Sequence, residues 1–338
     1  MEQKPKKMHS FLHFMKKYPV VISLTIAIPF TAAFFSYMAS DYDFHYNIEY
    51  NGERINADAE NFELTGIKKV ADVMQMSTGF SYQGGACYEN YYVICCHGFE
   101  SIIIYDANTM KVAHTVNTGI IDNTWHCNQI FFGHNFYSSR DKFPLLYVSM
   151  ENKEILSTMV FRIYKQGDAY YTTRVQTIRL EFSEEKDTIY YPNSYFDYDE
   201  EIIYYAGYTE DSYMRSETNK LKYYAFDLPD YRYEDVILET SDANKTFVLP
   251  SETATQGGFI SEGYLYQTFS FGDKVDPLRM PKMRIVDLDK EKIVKDFDLG
   301  PLLGVYEEFE HVAIARNGKL LTLGNPYHIY ELEYKKRD

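Results

Sequence analysis

Residues 83–92 read Gln-Gly-Gly-Ala-Cys-Tyr-Glu-Asn-Tyr-Tyr, and residues 256–266 read Gln-Gly-Gly-Phe-Ile-Ser-Glu-Gly-Tyr-Leu-Tyr. Each copy has a Gln-Gly-Gly start, a short strand-like run, a polar turn and an aromatic-rich second run. Each then reaches an apolar stretch ending in Asp: Ile103-Ile104-Tyr105-Asp106, and Arg284-Ile285-Val286-Asp287. A supersecondary unit used more than once predicts a repeat architecture. Elsewhere short strand patterns alternate with turn signals, and no amphipathic helix interrupts them. Over this length the pattern means a sandwich, a barrel or a propeller.

The first hairpins recur at 88–91, 199–201, 261–264 and 316–319, where Glu-Gly and Asn-Gly suit turns needing positive φ. Third strands end alike at Asp106, Tyr164, Asp227, Asp287 and Glu331. This spacing gives five units, at about 83–119, 126–181, 194–240, 256–299 and 309–334. The last has only three strands. A strand-like stretch at 68–76 supplies the missing outer strand and would pair first with last, which leaves no exposed edge. The expectation is an all-β, five-bladed β-propeller over 66–338, with six blades as runner-up if 42–65 adds strands.

The Gln-Gly-Gly starts, His126-Cys127-Asn128, and Glu308-Phe309-Glu310-His311 before Asn317-Gly318-Lys319 resemble five-bladed propellers of the teichoic acid biosynthesis protein C type. That group includes phage receptor-binding modules. The resemblance covers roughly residues 80–334, does not reach the N-terminal segment, and implies a glycan-binding role.

Five lysines precede an uncharged run from Val20 to Ala39. Twenty residues at about 1.5 Å each span about 30 Å, the thickness of a bilayer core. The charge asymmetry predicts a cytoplasmic tail at 1–18, a transmembrane signal anchor at 19–40 and a linker at 41–65, with the body outside a bacterial cell membrane. A cleaved signal peptide is the alternative, but residues 37–40 make a poor cleavage site.

Beyond residue 40 the chain holds 29 basic against 48 acidic residues, so it repels phosphate backbones and excludes nucleic acid as a partner. The four cysteines form no zinc-binding spacing. Acidic clusters at 197–201, 287–289 and 296–298 complete no calcium loop. Neither a cofactor nor a metal is expected.

In a propeller the start of each innermost strand faces the central channel. Gln83, His126, Asn193, Gln256, Glu310 and His311 would therefore converge, with Trp125 and Tyr195 offering faces for sugar stacking. Alternatively these side chains cap the inner strands and bond to water. The expected function is a membrane-anchored, extracytoplasmic binding or scaffolding module for an envelope glycan or envelope protein, more a binder than an enzyme. The competing reading is a glycan-active hydrolase or lyase using Glu308 and Glu310. Glutamines at two of the strand starts cannot transfer a proton, which weighs against hydrolysis.

Overall fold

Short β-branched and aromatic runs broken by tight turns fold here into consecutive antiparallel meanders. The computed structural model describes residues 52–74, 81–120, 125–151, 156–269, 271–325 and 327–337. The chain divides into two compact units, 1–48 with 138–140, and 49–137 with 141–338. Of the first unit only the short turn at 138–140 falls within the described residues. Every described strand lies in the second.

Strand β1 (Leu64–Asp72) comes first. The first meander is β2 (Tyr82–Tyr88), β3 (Tyr91–Cys96), β4 (Ser101–Asp106) and β5 (Lys111–Asn117). The second is β6 (Gln129–Phe132), β7 (Leu146–Glu151), β8 (Leu156–Gln166) and β9 (Ala169–Glu181). The third runs through β10 (Tyr190–Asp197), β11 (Ile202–Tyr208) and β12 (Lys220–Asp227), detours through β13 (Asp235–Glu239), and ends in β14 (Lys245–Pro250). The fourth is β15 (Thr255–Ser261), β16 (Tyr264–Phe269), β17 (Lys282–Asp287) and β18 (Lys292–Asp298). A short helix, α1 (Leu299–Leu303), leads to β19 (Glu308–Ile314), β20 (Leu320–Asn325) and β21 (His328–Tyr334). β1 completes this last sheet by pairing antiparallel with β21, from Leu64 opposite Tyr334 to Asp72 opposite His328.

Burial falls from the inside outward. All seven residues of β2 are buried, whereas Val116 alone is buried in β5. Five apolar cores lie between successive meanders. Val93, Phe132 and Phe161 pack between the first two, and Phe131, Phe196 and Tyr224 between the second and third. Tyr223, Leu265 and Val286 fill the next, and Met283, Phe309 and Leu332 the one after. The fifth core, with Tyr92, Ile103, Leu321 and Ile329, joins the last meander to the first. This is a propeller-like ring. Strand alternation sends Cys95 into the first core and its neighbour Cys96 into the fifth, and all four cysteines are buried.

Three expectations are corrected. The sheets number four rather than five among the described residues, because the eight strands of the first two meanders merge and, with β13, make one nine-stranded sheet. The tip of the long β8–β9 hairpin reaches the outer edge of β5 and pairs with it in parallel, Val116 opposite Tyr170 and Asn117 opposite Tyr171. The third unit does not end near 240. β13 crosses to lie parallel to β9, and β14 takes the outer position beside β12.

The transmembrane helix is the third correction. Among the described residues no helix is long and apolar enough to cross a membrane, and α1 has five residues. The expected span at 19–40 lies outside the described residues. The single-pass topology, the membrane as a partner and the extracytoplasmic location are therefore not retained. The expected linker also changes character from Ile55 onward: Ile55, Ala57, Ala59, Phe62 and Leu64 are buried in the core between the fourth and fifth meanders.

Candidate functional site

Four innermost strands share one irregularity at the same height. In each, two residues face a single residue of the neighbouring strand: Gln83-Gly84, Tyr191-Pro192, Gln256-Gly257 and Glu310-His311. Such β-bulges bend a strand and re-aim its side chains. Gln83, Gln256 and Glu310 each take the first position of their bulge.

The glycines of the repeat make space for neighbours. A Cβ on Gly85 would lie 1.8 Å from His311 Nε2, and one on Gly257 would lie 2.3 Å from Gln129 Oε1. His311 Nδ1 donates to Gln83 O at 2.6 Å, and its Nε2 accepts from Tyr92 Oη at 2.5 Å. Both ring nitrogens are thus engaged in tying the last meander to the first. Burial lowers the His311 pKa to about 4, against the hydrogen bond to Gln83. His311 is neutral in the folded protein and acts as a structural bridge.

Two carboxylates occupy the start of β19. Glu308 is half-buried and accepts from Gln256 Nε2 at 3.1 Å, whereas Glu310 is fully buried and accepts from Asn325 Nδ2 at 2.9 Å. Burial first, then the charge of Glu308, push the Glu310 carboxyl well above the usual carboxylate range, against the Asn325 hydrogen bond. Burial also raises Glu308, opposed by Asn325 and by the charges of His126 and Arg279. One amide, Asn325, therefore serves both acids. No group of three or more His, Cys, Asp or Glu side chains among the described residues could hold a metal ion.

Contacts link the candidates from every meander. Asn128 Nδ2 and Asn193 Nδ2 both donate to Thr255 O, at 3.1 and 3.4 Å, and Tyr195 Oη donates to Gln256 O at 3.1 Å. Gln83, Asn193, Gln256 and Glu310 thus belong to one connected cluster. His126 stands near it, its ring 4.4 Å from that of His97. Tyr195 is fully buried in the core between the third and fourth meanders, so its ring is closed to a ligand. Trp125 is half-buried against the core between the first two meanders. Asn128, Asn325 and Gln129 were not among the expected site residues. Asn128 follows His126 in a strand start that lacks the glycine pair, and Asn325 lies on a second strand, where no motif marks it.

A cavity of about 40 Å³ lies at the opposite end of the inner strands, lined by Glu53, Cys87, Phe131, Phe196 and Ile314 among others. It has room for only two or three waters.

No protein family matches the chain, and no curated protein is similar to it in sequence. Solved structures with a similar backbone include the glutaminyl cyclase of Myxococcus xanthus, at 10% identity over 81% of this chain and 98% of that one, with a TM-score of 0.42. A luciferin-regenerating enzyme matches at 10% identity over 80% and 97%, with a TM-score of 0.45. A glucose dehydrogenase matches at 10% identity over 78% and 98%, with a TM-score of 0.44. Likeness at this level does not carry a reaction over to this chain.

The start of β19 holds one half-buried acid, Glu308, and one fully buried acid, Glu310. Burying an acid is costly, and a passive lining gains nothing from it. The expectation of a membrane-anchored, non-catalytic binding or scaffolding module is corrected: among the described residues no helix is long and apolar enough to cross a membrane, and a half-buried and a fully buried carboxyl share one strand start.

Proposed function

We propose that the chain is a glycan-active enzyme working by acid–base chemistry at the start of the inner strands, with Glu308 as the reacting carboxylate. The observation that carries this reading is the pair on one bulged strand, Glu308 half-buried and Glu310 sealed behind it. The other meanders contribute the amides Gln83, Asn128, Asn193 and Gln256, which cannot pass a proton. Hydrolysis needs two carboxyl groups on opposite sides of the scissile bond, about 5–5.5 or 6.5–9.5 Å apart. Two acids on one strand do not supply that arrangement.

Elimination needs one base and a neighbouring cation. Glu308 takes the proton from the carbon beside a uronate carboxylate, the bond to the glycosidic oxygen breaks, and Glu308 returns the proton to the leaving oxygen. Arg279, whose charge reaches Glu308 and whose guanidinium lies 4.6 Å from the Phe271 ring, supports an acidic substrate. Tyr213, 46% exposed, meets Tyr191 and Phe271 edge-on at 5.5 and 5.4 Å and supports a sugar-stacking wall. The resemblance of the strand starts to teichoic acid biosynthesis protein C type propellers also supports a glycan.

The test incubates the full chain with a panel of uronate-containing polysaccharides and follows the ultraviolet absorbance of unsaturated product ends. Glu308→Gln is expected to lower turnover by about 10²–10⁴-fold while melting is unchanged. Wild-type inactivity across the panel would overturn elimination. Full turnover in Glu308→Gln would remove Glu308 from the mechanism.

A further inference from the structure

The small axial cavity is closed, at the end away from Glu308, by a piece of chain that belongs to no sheet. Its walls come from all five inner strands, among them Cys87 of β2, Phe131 of β6, Phe196 of β10, Ile260 of β15 and Ile314 of β19. Gln129 and Gly258 line the end nearer Glu308. Glu53, from the segment ahead of β1, lines the other.

The hairpin turns that follow the inner strands surround this segment. Gly52, at φ +64°, lies so close to the Tyr198 ring that a Cβ would come within 2.6 Å. Arg54 pairs with Asp199 and stands 4.0 Å from Glu262, and Ile55 N–H donates to Ser261 Oγ at 3.2 Å. On the far side the Glu89 N–H reaches the Glu53 carboxyl, and the charge of Arg316 acts on it from the last meander. Residues 52–55 thus span the mouth from the third and fourth meanders to the first and fifth. The hold is uneven. Ile55 is sealed in a core, whereas the Arg54 side chain is 53% exposed, and ion pairs in water contribute little.

We infer that Gly52-Glu53-Arg54 is a plug for the axis, seated while Glu53 carries its proton and lifted about Ile55 when Glu53 ionises. Seated, a carboxylate would stand against apolar walls; lifted, it stands in water. Burial raises Glu53 from 4.5 to about 7, against Arg316 and the Glu89 N–H. A lifted Glu53 has the ordinary carboxyl, so lifting is favoured about tenfold per pH unit above 4.5 and no further above about 7. The other groups facing Glu53 are Cys87, Tyr88 and Glu89 of β2 and its turn, Arg316 of the last meander, and Tyr198 behind β10. From β6 and β15 no titratable side chain lines the cavity. Burial, then the charge of Glu53, pushes the Cys87 thiol and the Tyr198 hydroxyl well up, and burial raises Tyr88 to about 12. These three stay neutral where Glu53 titrates, and Glu89 pairs with Arg316 at 3.7 Å. The plug does not rest on the glycan reading.

Cys87 reports the state of the plug. It lines the cavity and is 8% exposed, whereas Cys95, Cys96 and Cys127 are sealed in cores between meanders. The folded full chain is treated with iodoacetamide at pH 5.5 and pH 8, and labelling of each cysteine is followed by peptide mass spectrometry. Glu53→Gln, which keeps the shape of the neutral acid and cannot ionise, runs in parallel. The ratio of the two rates cancels the thiolate fraction of Cys87. That ratio, wild type over variant, is expected to rise at least about tenfold from pH 5.5 to pH 8, at Cys87 alone. Arg54→Ala should speed Cys87 labelling at both pH values and keep the step. Should Glu53→Gln fail to fold, the free peptide 83–92 supplies the same thiolate correction. A ratio that does not change with pH, or no labelling of Cys87 at either pH, would overturn the plug. Labelling of all four cysteines together at pH 8 would show the whole ring opening and would overturn it equally.

Discussion

Gln129 and Gly258 exchange two hydrogen bonds between inner strands that are not neighbours in the ring. Gln129 Nε2 donates to Gly258 O at 2.6 Å, and Gly258 N–H donates to Gln129 Oε1 at 2.9 Å. The side chain behaves like one rung of a sheet ladder and stops the axis at that level. Gln129→Leu keeps the volume but strands both backbone groups of Gly258 in a dry site. A loss of about 3 kcal/mol is expected, read as a lower urea midpoint at constant slope. A loss below about 0.5 kcal/mol would show that the bridge contributes only packing.

Gly85→Ala should cost about 3 kcal/mol or more, because His311 is held from two sides and cannot retreat from the new methyl group. Gly66→Ala is the control. Its Cβ would also be too close to a neighbour, Glu333 Oε2 at 2.6 Å, but that is the flexible end of an exposed side chain. A change within about 0.5 kcal/mol is expected there. Equal losses at the two glycines would contradict the axial role of the repeat.

The acid limb of stability should report His311. Its folded pKa of about 4 lies below the unfolded value of 6.5, so between these values the unfolded chain binds the extra proton. Stability is therefore complete above pH 6.5 and lost as the pH falls toward 4, by about 3 kcal/mol. His97, depressed to about 4 by burial and by His126, adds in the same direction. Glu53 runs the other way. Burial raises it from 4.5 to about 7, so its stabilising contribution is full below 4.5 and lost as the pH rises toward 7. Chemical denaturation at pH 4.5 and 7.5 should show His311→Gln flattening the acid limb and Glu53→Gln raising stability at pH 7.5. An unchanged acid limb in His311→Gln would refute the assignment.

Removing residues 64–72 should abolish the cooperative melt rather than shift it. β1 is the outer strand of the last sheet, and Leu64 together with the Ile55–Phe62 segment fills an apolar core. A shortened chain with the parent melting curve would show that closure is dispensable.

Trp125 separates two uses of one side chain. Packed half-buried against the first core, it should affect stability rather than affinity when changed to Phe. Glycan titration that quenches Trp125 fluorescence without altering the melt would reverse that assignment.

The repeat was legible because its two copies share chemistry as well as spacing, and glycine pairs are tolerated in strands only where something approaches closely. The approaching groups, Gln129 and His311, were not legible. They come from other meanders, and a bulge is visible only once strands are paired. Residues 235–239 read as the outer strand of their unit because their alternation is that of any edge strand. Which sheet such a strand joins depends on the long β8–β9 hairpin beside it. Tyr195 was misjudged for a related reason: two residues beyond Asn193 its ring faces the inter-sheet core, and only its hydroxyl reaches the neighbouring strand.

The pairing of β1 with β21 also sets a timetable for synthesis. Leu64 leaves the ribosome about 270 residues before its partner Tyr334 exists. Until then both edges of the nascent sheet series stay open, and the cost of joining such distant segments has yet to be met. The last turn of the ring must wait until β21 has been made and has left the ribosome, so this ring should fold late, as a whole, and lean on chaperones that shield unpaired strands. Slow refolding from denaturant, with aggregation that grows with concentration, is the behaviour such a closure imposes.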